Sequence, residues 1–439
     1  MEMSDSAQAQ APKLTAPPPS LLSVLRVRDF RLVWTGESIS LLGDQFYMVA
    51  LPWLTLQLTG SGLALGAVAA TAGIPRAIFM LLGGALTDRF SPRSVMFVSN
   101  TMRVVLAGLV AILVLTHTIQ LWMLFVAALL FGLVDAFFFP ASSAVVPMIV
   151  DADHIPSGNA LMQITAQLSG FVGPALAGIV IAQLTGVKDL QALEATGGAV
   201  DTAGIGVAIG FDALTFLIAA VLLWLMRGGR TAAAQSGEPQ NVLGAIGEGL
   251  RLVWRDPILR TMVVLTAAIN LFFTGPMGVG IPVLANRLPE GAAAFGYILS
   301  AFGGGALVGA ILAGTLPPPK RLGIVVMSLI GIAGIGLGLF GLVNHVLVAV
   351  LVAAGMGMAI GFTNVSSISW LQKRIPPEKM GRVMSLVMLG SFGLGPISNF
   401  LAGLLVDHHL MLMFSGAGLM LLLVALFSLS NRAVRAMEN

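Results

Sequence analysis

Six charged side chains stand inside long apolar stretches of this chain: Glu37, Asp44, Arg76, Arg103, Asp135 and Asp212. A charge at the centre of a membrane-spanning helix costs at least about 2.5–3.5 kcal/mol on insertion scales, so each needs a use. An apolar site disfavours the charged form of a carboxyl group, and an acid held there can load and release a proton. Glu37 and Asp44 are seven residues apart and share one helix face, about 10.5 Å apart along the axis. Glu37 is expected nearer the end of its helix, in reach of water, and Asp44 deeper. Three readings of Asp44 stand open: a proton carrier, a permanent partner of Arg76 or Arg103, and a direct contact to substrate. Asp135 is followed at helical spacing by Phe138, Phe139 and Ser142. It reads either as part of a cavity-lining face or as an ion pair to a neighbouring helix. Asp212 lies early in its apolar stretch and reads as a hydrated or capping group near the outer interface. Arg76 follows Pro75, which frees a backbone carbonyl, and is expected in a structural pairing.

The elements that must position these groups are membrane spans. The chain has 439 residues, 57% hydrophobic and only 10% charged, against about 25% charged in an ordinary soluble domain. A water-facing surface for a protein of this size cannot be built from so few charges. Soluble enzyme, nucleic-acid binder and disordered scaffold are thereby disfavoured, and the 23 basic residues serve membrane orientation instead. Runs of about 20 apolar residues fall at 33–57, 63–86, 94–116, 119–145, 158–184 and 204–226, then at 259–285, 292–316, 322–343, 345–371, 380–406 and 409–430. With twelve spans both termini lie on one side. That side collects nearly all of the 23 basic residues, while the opposite loops hold only Lys188 and Arg287. The positive-inside rule makes it the cytoplasmic side. Residues 1–25 read as a disordered cytoplasmic tail, 26–226 and 259–430 as two six-helix bundles, 227–258 as a cytoplasmic linker and 431–439 as a second tail. In the linker, Val242, Ile246, Leu250, Val253 and Trp254 are spaced as in an amphipathic surface helix.

The halves repeat. Arg28-Asp29 answers Arg255-Asp256, Ser142-Ser143 answers Ser366-Ser367, and Gly173-Pro174 answers Gly395-Pro396. Two pseudo-symmetric bundles can rock about a site at the bilayer midplane, which is a transporter architecture. The glycines four apart, such as Gly305/Gly309 and Gly357/Gly361, read as close helix packing.

Three stretches carry a family resemblance. The loop Gly84-Ala-Leu-Thr-Asp-Arg-Phe-Ser-Pro-Arg93 is similar to the G-x-L-A-D-R-x-G-R-K loop of the major facilitator superfamily, with Ser91 at the second glycine. The fifth span, Ser169-Gly-Phe-Val-Gly-Pro-Ala-Leu-Ala-Gly178, resembles that family's antiporter motif, with Ser169 and Ala177 at two of its glycines. The opening Arg28-Asp-Phe-Arg-Leu-Val-Trp34, with Leu42-Gly-Asp-Gln-Phe46 and Leu51-Pro-Trp53, resembles the branch of macrolide-efflux proteins and the enterobactin exporter. The resemblance spans about residues 26–430. It implies an all-α membrane fold of twelve helices in two six-helix bundles, with the Asp88 loop as a cytoplasmic gate. Gly84, Asp88, Arg89 and Arg93 would form one side of that gate. Lys379 and Arg382, at the start of span eleven, would form the other. The motif residues Ser169, Gly173, Pro174 and Gly178 would bend and pack span five.

The expected function is proton-coupled export of hydrophobic or amphipathic small molecules, with a nutrient importer on the same fold as the rival. Asp44, Asp135 and Glu37 are the proton-coupling candidates, with Arg76 and Arg103 as their charge partners. Phe46, Tyr47, Phe138, Phe139, Phe273 and Trp370 are the candidates for an aromatic substrate cavity. No G-x-x-x-x-G-K-[ST] loop is present for ATP, and no metal or nucleophile constellation points to an enzyme. The expectation is a monomer of the bacterial inner membrane with both termini cytoplasmic. It needs no cofactor and no nucleic acid, draws on the proton gradient, and has a small molecule, protons and lipid as partners.

Overall fold

In a computed structural model the described residues are 20–185, 202–227, 257–375 and 393–435, with 251, 254 and 390 besides. A 3-10 turn, Leu21–Arg26, leads into α1 (Arg28–Thr59), α2 (Gly62–Arg89), α3 (Pro92–Leu115), α4 (Leu121–Ile149), α5 (Ile155–Leu184) and α6 (Ala203–Trp224). The second group begins with α7, in two parts, Pro257–Gly275 and Ile281–Asn286, joined by a π-helical segment Pro276–Gly280. It continues with α8 (Ala292–Thr315), α9 (Leu322–Leu339), α10 (Val346–Arg374), α11 (Gly395–Val406) and α12 (Leu410–Ser430), and a last turn α13 (Arg432–Arg435) follows. No strand occurs among the described residues. Ten of these helices are long and apolar enough to cross a membrane. With α1, whose charges lower its hydropathy, and α11, twelve helices match the twelve expected spans.

Local sequence sets the helix ends. Ser91 caps α3 by accepting the Ser94 amide, and Pro92 occupies its first turn, where a missing N–H costs nothing. Gly60 ends α1 in the left-handed region, at φ 61°. Several helices run past the apolar runs, because polar residues at span ends still close helical hydrogen bonds in the interfacial region. α4 reaches Ile149 and α10 reaches Arg374.

The helices alternate in direction, so the molecule has a near end, where α1 begins, and a far end. At the near end Arg93, at the start of α3, donates from Nε to the Leu223 carbonyl at 2.9 Å and from Nη2 to that of Trp224 at 2.9 Å. A cation there satisfies the last carbonyls of α6 and opposes its dipole. Arg93 is thus tied to α6 of its own bundle. The side chains of Gly84, Asp88 and Arg89, and all of Lys379 and Arg382, lie outside the described residues, as does most of the amphipathic linker.

Between the bundles, helix backbones meet through small residues. A Cβ on Gly66 of α2 would strike the Asn399 carbonyl of α11, and one on Gly178 of α5 would strike the Ala292 carbonyl of α8. The Ala175 amide donates to Ser300 Oγ at 2.7 Å, also between α5 and α8. Gly173 faces Gln45 of α1, and Ser169 is buried, so the fifth-span motif works as close packing. At the far end Asp407, after α11, accepts from the Gly62 amide at 2.6 Å, the Leu63 amide at 3.1 Å and Ser61 Oγ at 3.0 Å. Gln57 Nε2 donates to Asn286 Oδ1 nearby, at 3.3 Å. These cross-bundle contacts all lie toward the far end.

Candidate functional site

The six intramembrane charges gather inside the first bundle. Asp135 of α4 is the hub. One of its oxygens accepts from Arg76 Nη2 of α2 and the other from Arg103 Nη2 of α3. Three helices are thereby pinned by a single carboxylate. Of Asp135's two sequence readings, the ion pair is the one observed. Both arginines are taken by Asp135, and Asp44 forms no salt bridge among the described residues. The permanent pairing of Asp44 with Arg76 or Arg103 is therefore not what the fold builds.

Aromatic rings complete the guanidinium sites. Arg103 stacks 4.0 Å above the Phe138 centroid and 5.2 Å from that of Phe216, while Arg76 lies 5.7 Å from that of Phe139. Stacked rings supply negative faces where water is scarce. The Arg103 side chain is 4% exposed and that of Arg76 31%. Arg103 is thus sealed in the bundle, whereas Arg76, with Phe139 beside it at 42%, opens onto the protein's surface.

Two acids are deeper than their sequence positions suggested. Glu37 is 7% exposed instead of solvated near the helix end, because α6 covers that face of α1. A Cβ on the neighbouring Gly36 would come within 3.3 Å of Ala219 Cα. Asp212 is fully buried instead of hydrated at the interface. Helix α6 begins at Ala203, so Asp212 stands more than two turns inside it, against Gly43 of α1. A Cβ on Gly43 would lie 2.7 Å from Asp212 Oδ1. Only glycine there lets α1 and α6 close around the carboxyl. Asp44 is the next residue along α1.

The aromatic candidates divide. Phe46 is buried against Phe211, with centroids 4.6 Å apart, and Phe138 is buried under Arg103. Trp370 is also buried, in a cluster with Leu322, Leu371 and Ile375, and Arg374 sits over its ring at 5.3 Å. It packs the near end of the second bundle instead of lining a cavity, because α9 closes over that face of α10. Tyr47 meets Phe131 at 4.6 Å and keeps a buried hydroxyl without a partner. Phe273 meets Phe302 at 5.8 Å between α7 and α8. Phe139, Tyr47 and Phe273 remain at positions open enough to meet a ligand.

Sequence reasoning missed Asp407. Its partners lie 344 to 346 residues away in the chain, and no local pattern connects them. The one signal was Ser61-Gly62, a helix start without an acid of its own. No group of three or more His, Cys, Asp or Glu suited to a metal ion occurs among the described residues.

Comparison with known proteins places this geometry. Residues 33–398 match the Major Facilitator Superfamily. Macrolide efflux protein A of Streptococcus pyogenes is 23% identical over 383 residues, covering 86% of this chain and 89% of that protein. Multidrug efflux pump Tap of Mycolicibacterium fortuitum is 27% identical over 403 residues, covering 88% and 92%. Among solved structures, a bacterial homologue of the iron transporter ferroportin in an inward-facing state superposes with a TM-score of 0.67 at 18% identity, covering 93% of this chain and 100% of that one. A match over most of the chain, on twelve helices with an internal repeat, makes this integral membrane protein a transporter belonging to the Major Facilitator Superfamily.

Proposed function

We propose that the protein exports hydrophobic or amphipathic small molecules in exchange for protons, by alternating access. The observation that carries this reading is the charge cluster of the first bundle, where four carboxylates (Glu37, Asp44, Asp135 and Asp212) stand with two guanidiniums. Ion pairing alone leaves acids in excess at membrane depth, and protons are the simplest cations to balance them. The efflux relatives support the direction of transport.

The contacts at the far end support a conformation closed there. In the bacterial inner membrane with cytoplasmic termini, substrate enters from the cytoplasm near Arg76 and Phe139. Residues 26–226 and 259–430 act as the two rocking bodies of a monomer, and Asp88 with Lys379 and Arg382 closes the near end in the opposite state. Asp44, Glu37 and Asp135 remain in the coupling machinery, Asp135 by holding both arginines in place. Tyr47, Phe139 and Phe273 meet the substrate. The energy source is the proton gradient, with no cofactor.

Everted membrane vesicles with an acidified interior and a pH-sensitive dye test the reading. A macrolide, a lipophilic cationic dye or a catecholate siderophore is expected to release protons from vesicles carrying the protein and not from vesicles without it. If none of the three does so with folded protein present, proton-coupled export is overturned.

A further inference from the structure

Asp212 is the most deeply buried acid of the cluster. Its side chain is fully buried, and neither carboxyl oxygen has a hydrogen-bond partner. The nearest hydroxyl, on Thr215, donates its single proton to the Asp212 backbone carbonyl at 2.7 Å. A carboxyl group shut away from water with neither oxygen paired is far less costly to hold neutral than ionised.

Titratable groups face Asp212 from three helices. Helix α1 brings Asp44, which carries the same sign, and the unpartnered Tyr47 hydroxyl; Glu37 lies further along it. Helix α4 brings Asp135, and beyond it Arg76 of α2 is held by Asp135. Helix α5 has no titratable residue along Ile155–Leu184. Helix α3 brings the one cation that acts on Asp212, Arg103. Arg103 gives Nη2 to Asp135, while its Nε and Nη1 are buried with no acceptor. Those two N–H groups are free to be taken by a carboxylate that reaches Arg103.

We infer that Asp212 carries the transported proton: it is a neutral acid in the conformation seen here and becomes an ionised partner of Arg103 in the opposite one. On release the carboxyl O–H bond breaks, the proton passes to cavity water, and the carboxylate accepts Arg103 Nε–H or Nη1–H. Binding of the next proton reverses each step. The packing at Gly43 fixes the carboxyl between α1 and α6, so relative movement of these helices opens or closes its path to water. The inference rests on proton coupling as the mode of transport, but its protonation state can be measured without any substrate.

Infrared spectroscopy of the purified full-length protein in lipid nanodiscs, without ligand, reads the carbonyl stretch of protonated carboxyl groups directly. Wild type at neutral pH is expected to show such a band, protected from exchange into deuterated buffer. Asp212→Asn is expected to remove it, while Asp44→Asn and Glu37→Gln leave it in place. Because an amide mimics the neutral acid, Asp212→Asn is also expected to keep the thermal stability of wild type. Should that variant not fold, Asp212→Glu is expected to move the band. Absence of a protected band from wild type, or its persistence unchanged in Asp212→Asn, overturns the assignment. If the band belongs to Asp212 and yet no compound releases protons in vesicles, the export reading fails and the protonation state stands.

Discussion

The helix pairs α2–α4 and α8–α10 hold equivalent places in the two halves, yet different chemistry joins them. In the second half glycine does the work. Cβ atoms on Gly305 and Gly309 of α8 would strike carbonyls of Ala354 and Met358, and those on Gly357 and Gly361 of α10 would strike carbonyls of Phe302 and Ala306. In the first half one such contact remains among the described residues, Gly132 against the Ala72 carbonyl, and the Arg76–Asp135 bridge accompanies it. The repeat sets Ala359, buried, opposite Asp135. A glycine seam is thus sufficient to hold this helix pair. The first half carries charges that its packing does not require, and replacing a buried ion pair by apolar residues is often neutral or stabilising. The difference marks the first bundle as the chemical half and the second as the mechanical one.

The largest effect is expected from breaking the hub. Asp135→Ala leaves two guanidiniums without their shared carboxylate, which costs about 3–5 kcal/mol and is read as loss of folded protein in thermal unfolding. Replacing all three members together (Asp135→Leu, Arg76→Met, Arg103→Met) sharpens the contrast. The triple variant is expected to fold and to release no protons in vesicles. Coupled transport by that protein would reduce the charges to helix glue.

The glycine seam comes next. Gly309→Val pushes a side chain onto the Met358 carbonyl, and overpacking of this kind costs about 1–3 kcal/mol, again visible in thermal unfolding. The same change at an outward glycine such as Gly314, which faces open space, is expected to cost less.

The far-end contact is smaller still. Asp407→Ala removes a carboxylate acting as an N-terminal cap for α2 from the opposite bundle, worth about 0.5–2 kcal/mol. Because the chain has no cysteine, a single cysteine at Gln57 reports opening without background. Its labelling by a membrane-impermeant maleimide from the far side is expected to rise several-fold in the Asp407→Ala protein. An unchanged rate would make Asp407 an ordinary surface charge. The smallest effect belongs to Asn270→Leu in α7. Asn270 Nδ2 donates to Thr266 of its own helix at 2.9 Å, and its loss is expected to cost under about 0.5 kcal/mol.

The helices, their number and the presence of charged residues within them were legible in the sequence. Hydropathy is a local sum, and a bilayer accepts only segments whose own backbone is satisfied. Helix caps were legible for the same reason, as Ser91 and Pro92 illustrate. The fifth-span glycines announced close packing, though not that Gly178 meets α8 while Gly173 meets α1.

Partner choice was not legible. Each residue turns a helix by about 100°, so whether Asp44 or Asp135 takes the arginines depends on how three helices are rotated about their axes. Those rotations are set by contacts such as Gly43 against Thr215 and Gly132 against Ala72, made between residues far apart in the chain. The same rotations carried Asp212 from an assumed interface into the dry interior, put Trp370 under α9, and brought Asp407 to α2. Composition and periodicity established that charge is held inside the membrane. Which charge is paired, which is idle and which must keep its proton is set by the assembled bundle, because electrostatic energy depends on the distance between groups and their exclusion from water.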